Sequence, residues 1–168
     1  MIPIREGDEL SIEIGTRHAS RNTHHAIRIT PPVLVADADL VAYFWIEQTR
    51  SAAARRVRRR DAAWVVPPLW REAFWSILRE HLRTGLMTQE EALRFAEQAE
   101  ADLRPGAEHD VETAAVLRLI DETECSARDA AYVALAQALG VPLVTGDRAL
   151  TRQFPETAVV MEDVAEGA

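Results

Sequence analysis

From residue 33 onward the chain alternates short, continuous apolar runs with longer segments whose apolar positions recur at helical spacing. VLVA at 33–36, WVV at 64–66, VPLVT at 141–145 and TAVVM at 157–161 read as buried strands. LVAYFWIEQ at 40–48 predicts a helix, with Asp39 available as its N-cap. Residues 51–62 form a second, Arg-rich helix. Pro68 suits the first turn of a long helix that runs to about Arg83 and stops at Thr84-Gly85. Thr88 and Glu91 have capping-box spacing and open a further helix, with Ala92, Phe95, Ala96 and Ala99 on one face, ending near Pro105-Gly106. Residues 108–111 are expected to add a short strand, and 112–122 a helix. Ser126 caps a helix that reaches Leu139 and is ended by Gly140. Gly146-Asp147 then turns the chain into a short helix over 148–153. Strands separated by helices predict a three-layer α/β/α domain around a mainly parallel sheet of four to five strands.

Residues 1–31 follow a different pattern and are set apart from the domain at 32–168. Leu10, Ile12 and Ile14 alternate with polar neighbours, as do Ile27 and Ile29 around Arg28, before Pro31-Pro32 closes the segment. An added hairpin, a flexible arm and a start codon placed too far upstream all fit this extension.

Composition narrows the class. At 168 residues the chain has the size of one domain with a proper core, and no apolar run approaches the roughly 20 residues that cross a bilayer. The N-terminus lacks the order of a signal peptide, so a cytoplasmic location and no membrane partner are expected. A single cysteine, Cys125, excludes an internal disulfide, and no Cys/His cluster has zinc spacing. The net charge of −8 argues against a general nucleic-acid coat. The positive charge is uneven, however: Arg50, Arg55, Arg56, Arg58, Arg59 and Arg60 crowd one short stretch. That run is either a solvated helix face or a local patch that steers phosphate. All nineteen basic residues are Arg, which excludes any mechanism that requires Lys.

Four acids stand beside these apolar runs. Asp37 and Asp147 follow strands, whereas Glu72 and Asp129 lie in early turns of helices. In an open α/β sheet the ligand crevice lies beyond the carboxyl ends of the strands, so all four can reach one rim. Carboxylates gathered at the edge of a core need a cation or a proton to hold them there. A hard divalent metal such as Mg²⁺, bound by oxygen ligands, answers that need. Each acid also has a local alternative. Asp129 completes a capping box with Ser126, Asp147 can cap the helix it precedes, Asp39 can be an N-cap, and Glu72 can face solvent.

VLVADADLVAYF, VVPPLWREAFWSIL and SARDAAYVALAQALGVPLVTGDRAL, taken in order over about 32–162, resemble the acidic segments of PIN domains. The nearest likeness is to the VapC-like ribonuclease toxins of bacterial toxin–antitoxin pairs. The resemblance implies a metal-dependent endoribonuclease that leaves a 5′-phosphate and a 3′-hydroxyl. Asp37 and Asp147 would hold Mg²⁺ or Mn²⁺, and Glu72 and Asp129 would complete the site directly or through water. Thr145 matches the family's Thr two residues before the last Asp. Asp39 stands where the family usually has Ser, Thr or Asn and adds a fifth carboxylate. Arg55, Arg56, Arg58, Arg59 and Arg148 are the expected contacts to RNA phosphates. The resemblance also implies a cognate antitoxin and a homodimer.

Two other readings compete. VLVADADLV also resembles the opening D-x-D motif of haloacid-dehalogenase-like phosphatases, with Asp37 as nucleophile, but the acid pair and Lys expected near the end are missing. Alternatively the acids are only helix caps, and a non-catalytic module offers aromatic residues such as Trp45, Trp70 and Trp75 to an amphipathic partner helix.

Overall fold

The computed structural model describes residues 33–61, 63–103 and 106–166. Four strands, β1 (Val33–Ala36), β2 (Ala63–Val65), β3 (Leu143–Thr145) and β4 (Ala158–Val160), form one sheet in the order β2-β1-β3-β4. Every pairing is parallel, with Val35 opposite both Val65 and Leu143. Among the described residues eight helices accompany them: α1 (Ala38–Trp45), α2 (Ser51–Arg60), α3 (Trp70–Arg83), α4 (Gln89–Leu103), α5 (Thr113–Glu122), α6 (Ala127–Leu139), α7 (Arg148–Gln153) and α8 (Met161–Glu166). The result is a three-layer α/β/α fold around a four-stranded parallel sheet.

Apart from Thr145 the strands are apolar, because both sheet faces are covered; Leu34, Val35, Ala36, Leu143 and Val144 are almost wholly buried. The centre of α6 is buried on every side, from Ala130 to Ala136. Its alanines let that helix lie close to β1, β3 and α5, which it contacts. α1 packs on α2, α3 and α4. Trp70, Tyr132, Phe74, Leu34, Leu40 and Leu103 are the bulkiest interior side chains. Burying each apolar one contributes roughly 1.5–3 kcal/mol.

Helix ends follow the local chemistry closely. Thr88 and Glu91 close a reciprocal capping box, with Thr88 N–H donating to Glu91 Oε2 at 2.8 Å and Glu91 N–H to Thr88 Oγ at 3.2 Å. Ser126 caps α6, and Gly140 ends it with φ +65°, a left-handed conformation that glycine adopts without strain.

Three expectations need correction. The cap of α1 is Asp37, whose Oδ1 accepts the Ala38 N–H at 2.7 Å, and not Asp39, which lies inside the first turn. Residues 108–111 form no strand: Val66 bridges Glu108 alone, because Pro67 and Pro68 follow it and have no N–H to extend the ladder. The last strand stops at Val160, and Met161 already begins α8, which the apolar run concealed. The patterns at residues 1–31 lie outside the described residues. Among those described, no helix is long and apolar enough to cross a membrane.

Candidate active site

The two central strands, β1 and β3, end side by side, and the chain leaves each through an acid. Asp37 follows β1, and Thr145 closes β3 just before Gly146 and Asp147. The Thr145 hydroxyl donates to Asp37 Oδ2 at 2.6 Å and accepts the Asp147 N–H at 3.0 Å. One buried side chain therefore ties the two strand ends together. Asp147 Oδ1 takes the Ala149 and Leu150 N–H groups at 2.6 and 3.3 Å, capping α7.

Asp39, one helical position further into α1, accepts the Gly146 N–H on Oδ2 at 3.0 Å, while its Oδ1 is buried without a hydrogen-bond partner. Burial raises the Asp39 carboxyl above its ordinary range, against the opposing pull of its backbone hydrogen bonds and of Arg50. Asp37 is more strongly affected. Burial first, then the Asp39 carboxylate, push it up to about 7, although Thr145 and Ala38 hydrogen-bond to its charged form. Asp129 adds to the same repulsion from the first turn of α6.

Asp129 is held by Ser126, whose hydroxyl donates to Asp129 Oδ2 at 2.7 Å and accepts the Asp129 N–H at 3.1 Å. Its capping role and its place beside Asp37 are thus compatible. Glu72 is exposed on α3 and lines an open cleft of about 420 Å³ with Leu69, Ser76, Ser126 and Arg128. The cleft joins it to the start of α6, but Glu72 does not figure among the charges acting on Asp37 or Asp39. Among the described residues, no three acidic, His or Cys side chains lie close enough together to grip a metal ion as placed.

The arginines divide. Arg55 forks onto Glu47, and Arg58 makes a single bond to Asp102 Oδ1, with its guanidinium also 4.8 Å from the Trp64 ring centre. Arg56, Arg59 and Arg148 are exposed. Of the aromatics, Trp70 and Phe74 are core, and Trp75 is half exposed.

Sequence reasoning missed three contributors. Arg128 flanks the cleft, and only its place before Asp129 hinted at it. Tyr132, one helical turn beyond Asp129, is 1% exposed, and its hydroxyl has no partner although it faces the charges of Asp37, Arg128, Asp39 and Asp129. Glu162, on the unforeseen α8, joins Arg50.

No family model matches the chain. Ribonuclease VapC3 of Pyrobaculum aerophilum is 31% identical over 126 residues, which span 73% of this chain and 95% of that protein. The crystal structure of PAE2754 from Pyrobaculum aerophilum matches with a TM-score of 0.63 at 20% identity, covering 80% of this chain and 93% of that one. The structural likeness concerns the fold; the sequence likeness runs nearly the whole length of the ribonuclease.

Proposed function

The chain belongs to the VapC-like ribonuclease family of PIN domains, and on that premise we propose that it is a metal-dependent endoribonuclease. Asp37, Asp129, Asp147 and Glu72 would be its ligands for Mg²⁺ or Mn²⁺, with Asp39 and Thr145 auxiliary. The observation that carries the reading is the uncompensated charge at the rim. Asp37 is pushed up to about 7 by burial and by neighbouring carboxylates, and Asp39 Oδ1 is buried without a partner.

A donor set made only of carboxylate and hydroxyl oxygens fits a hard divalent cation better than a soft one. When bound, such a cation supplies Lewis-acid polarisation of the scissile phosphate and activation of water. The protein's own part is orientation. Thr145 fixes the direction of Asp37, Ser126 that of Asp129, and the first turn of α7 that of Asp147. Without a cation these acids repel an RNA backbone, so binding as well as cleavage should depend on it. Arg128 and Arg148, in the first turns of α6 and α7, would counter that repulsion. Arg55, Arg56, Arg58 and Arg59 would extend the phosphate track along α2.

A cognate antitoxin, a homodimer and a cytoplasmic setting belong to the same reading. Exposed Trp75, Leu82 and Leu93 on α3 and α4 offer apolar surface to a protein partner. Family membership sets the phosphatase alternative aside.

The test is cleavage of structured RNAs with Mg²⁺ or Mn²⁺, with EDTA, and with Asp37→Asn or Asp129→Asn. Loss beyond the roughly hundredfold typical of outer-shell changes is expected in each case. Cleavage that survives both the chelator and the substitutions sinks the assignment.

A further inference from the structure

Arg50 stands at the N-cap position of α2, and in sequence it belongs with the arginines that follow it. Spatially it turns away from them. Its Nε and Nη2 donate to the two carboxylate oxygens of Glu162 at 2.5 and 2.7 Å, a two-pronged pairing across 112 residues. The remaining Nη1 donates to the Gly146 carbonyl at 3.0 Å. The Tyr43 ring lies under the guanidinium, 5.2 Å from its centre.

Gly146 is gripped from the other side as well, because its N–H donates to Asp39 Oδ2. Both polar groups of this residue are thus held by side chains of opposite charge from different helices. The fit leaves no room for a side chain: a Cβ on Gly146 would lie 2.5 Å from Asp39 Oδ2 and 2.6 Å from Arg50 Nη1. The next residue is Asp147.

We propose that Arg50 is a positioning residue: anchored by Glu162, it holds the Gly146 peptide and thereby sets how Asp147 enters the acid rim. The consequence for cation binding rests on the nuclease reading; the grip on the turn does not. The fork matters more than the charge. Lysine carries the same charge on a single ammonium and cannot span Glu162 and the Gly146 carbonyl in this planar arrangement. Nor is the ion pair a solvated surface contact, since each partner is only about a quarter exposed (25% and 27%).

Two substitutions isolate this role. Arg50→Lys keeps the charge and loses the fork; Glu162→Gln keeps Arg50 and removes its anchor. Amide hydrogen exchange on the metal-free protein reads the turn directly, because the Gly146 and Asp147 N–H groups are both hydrogen-bonded within it. Both variants should speed exchange at these two amides by about tenfold or more, with the β1 and β3 amides unchanged. Mn²⁺ titration should show weaker binding in Arg50→Lys, which leaves the net charge unchanged, so a loss there reads the turn and not the local charge. Unaltered exchange at 146 and 147, or acceleration spread evenly over the sheet, overturns the proposal. A wild-type protein that binds no Mn²⁺ defeats the nuclease reading instead and leaves the turn to be judged by exchange.

Discussion

Thr145 donates its hydroxyl to Asp37 Oδ2 at 2.6 Å and so joins two strand ends that lie 108 residues apart in the chain. The Thr145 hydroxyl oxygen also accepts the Asp147 N–H, so one buried side chain orients an acid on each side of it. Thr145→Val preserves the shape and deletes both bonds. It should lower stability by about 1–3 kcal/mol, measured by urea denaturation, and depress RNA cleavage. Thr145→Ser should restore most of each. Equal losses in both variants would mean that the methyl group, not the hydroxyl, matters here.

Asp37 gives the metal-free protein a definite pH dependence. The folded state holds its proton up to about 7, whereas a free Asp gives it up near 3.8. Between those values the folded state binds more protons, so stability falls as pH rises through the window and stays reduced above it. In EDTA, Asp37→Asn should therefore be more stable than wild type at pH 8, by roughly 1–3 kcal/mol after allowance for coupling to Asp39, and no more stable at pH 3.5. Thermal melts across pH check this. A gain of equal size at both ends of the range contradicts it. Mg²⁺ should reverse the ranking by raising the wild-type midpoint alone.

Gly146→Ala places a methyl group against Asp39 Oδ2 and Arg50 Nη1, the two atoms that hold the turn. Both are ends of side chains, so they can yield, and the stability cost should stay near 1–2 kcal/mol. Yielding breaks the grip, however. RNA cleavage should fall by a larger factor than stability alone explains, with kcat affected more than KM. A variant with wild-type kcat refutes the expectation.

Tyr132 presents a buried hydroxyl without a hydrogen bond, an arrangement that usually costs about 1–3 kcal/mol. Tyr132→Phe should leave stability unchanged or raise it slightly, as measured by denaturant unfolding. A loss above about 1 kcal/mol would show that an ordered water links the hydroxyl to the neighbouring carboxylates.

The strands β1 and β3 and the ends of α4 and α6 were legible in the sequence because their signals are local: a continuous apolar run, a capping box, a glycine stop. The same locality misled where two signals competed. Asp37 and Asp39 both suit the start of α1, and spacing alone cannot show that the chain enters the helix at Asp37 because Asp39 is drawn to Gly146. Val159 and Val160 carry an apolar run straight into Met161, so strand and helix merge in the pattern. Asp39 and Asp129 bear on the Asp37 carboxyl and Asp147 on that of Asp39, while Glu72 stands apart in the adjoining cleft, a separation that spacing along the chain does not reveal. The Arg50–Glu162 pair left no trace in sequence, since neither residue has a neighbour that predicts a partner 112 positions away.

The strand order carries a consequence in time. Of the described strands β1 is made first, yet it sits inside the sheet, flanked by β2 and β3. On the ribosome, the edge that will face β3 stays open until residues 143–145 have been added, and a chain interrupted earlier exposes a short apolar strand ready to pair with a stranger. The acid rim cannot precede that closure, because Asp147, its last acid, follows β3 in the chain. A chain cut short before β3 is thus a risk for aggregation but not a working copy of the site; the rim appears only once β3 has closed on β1.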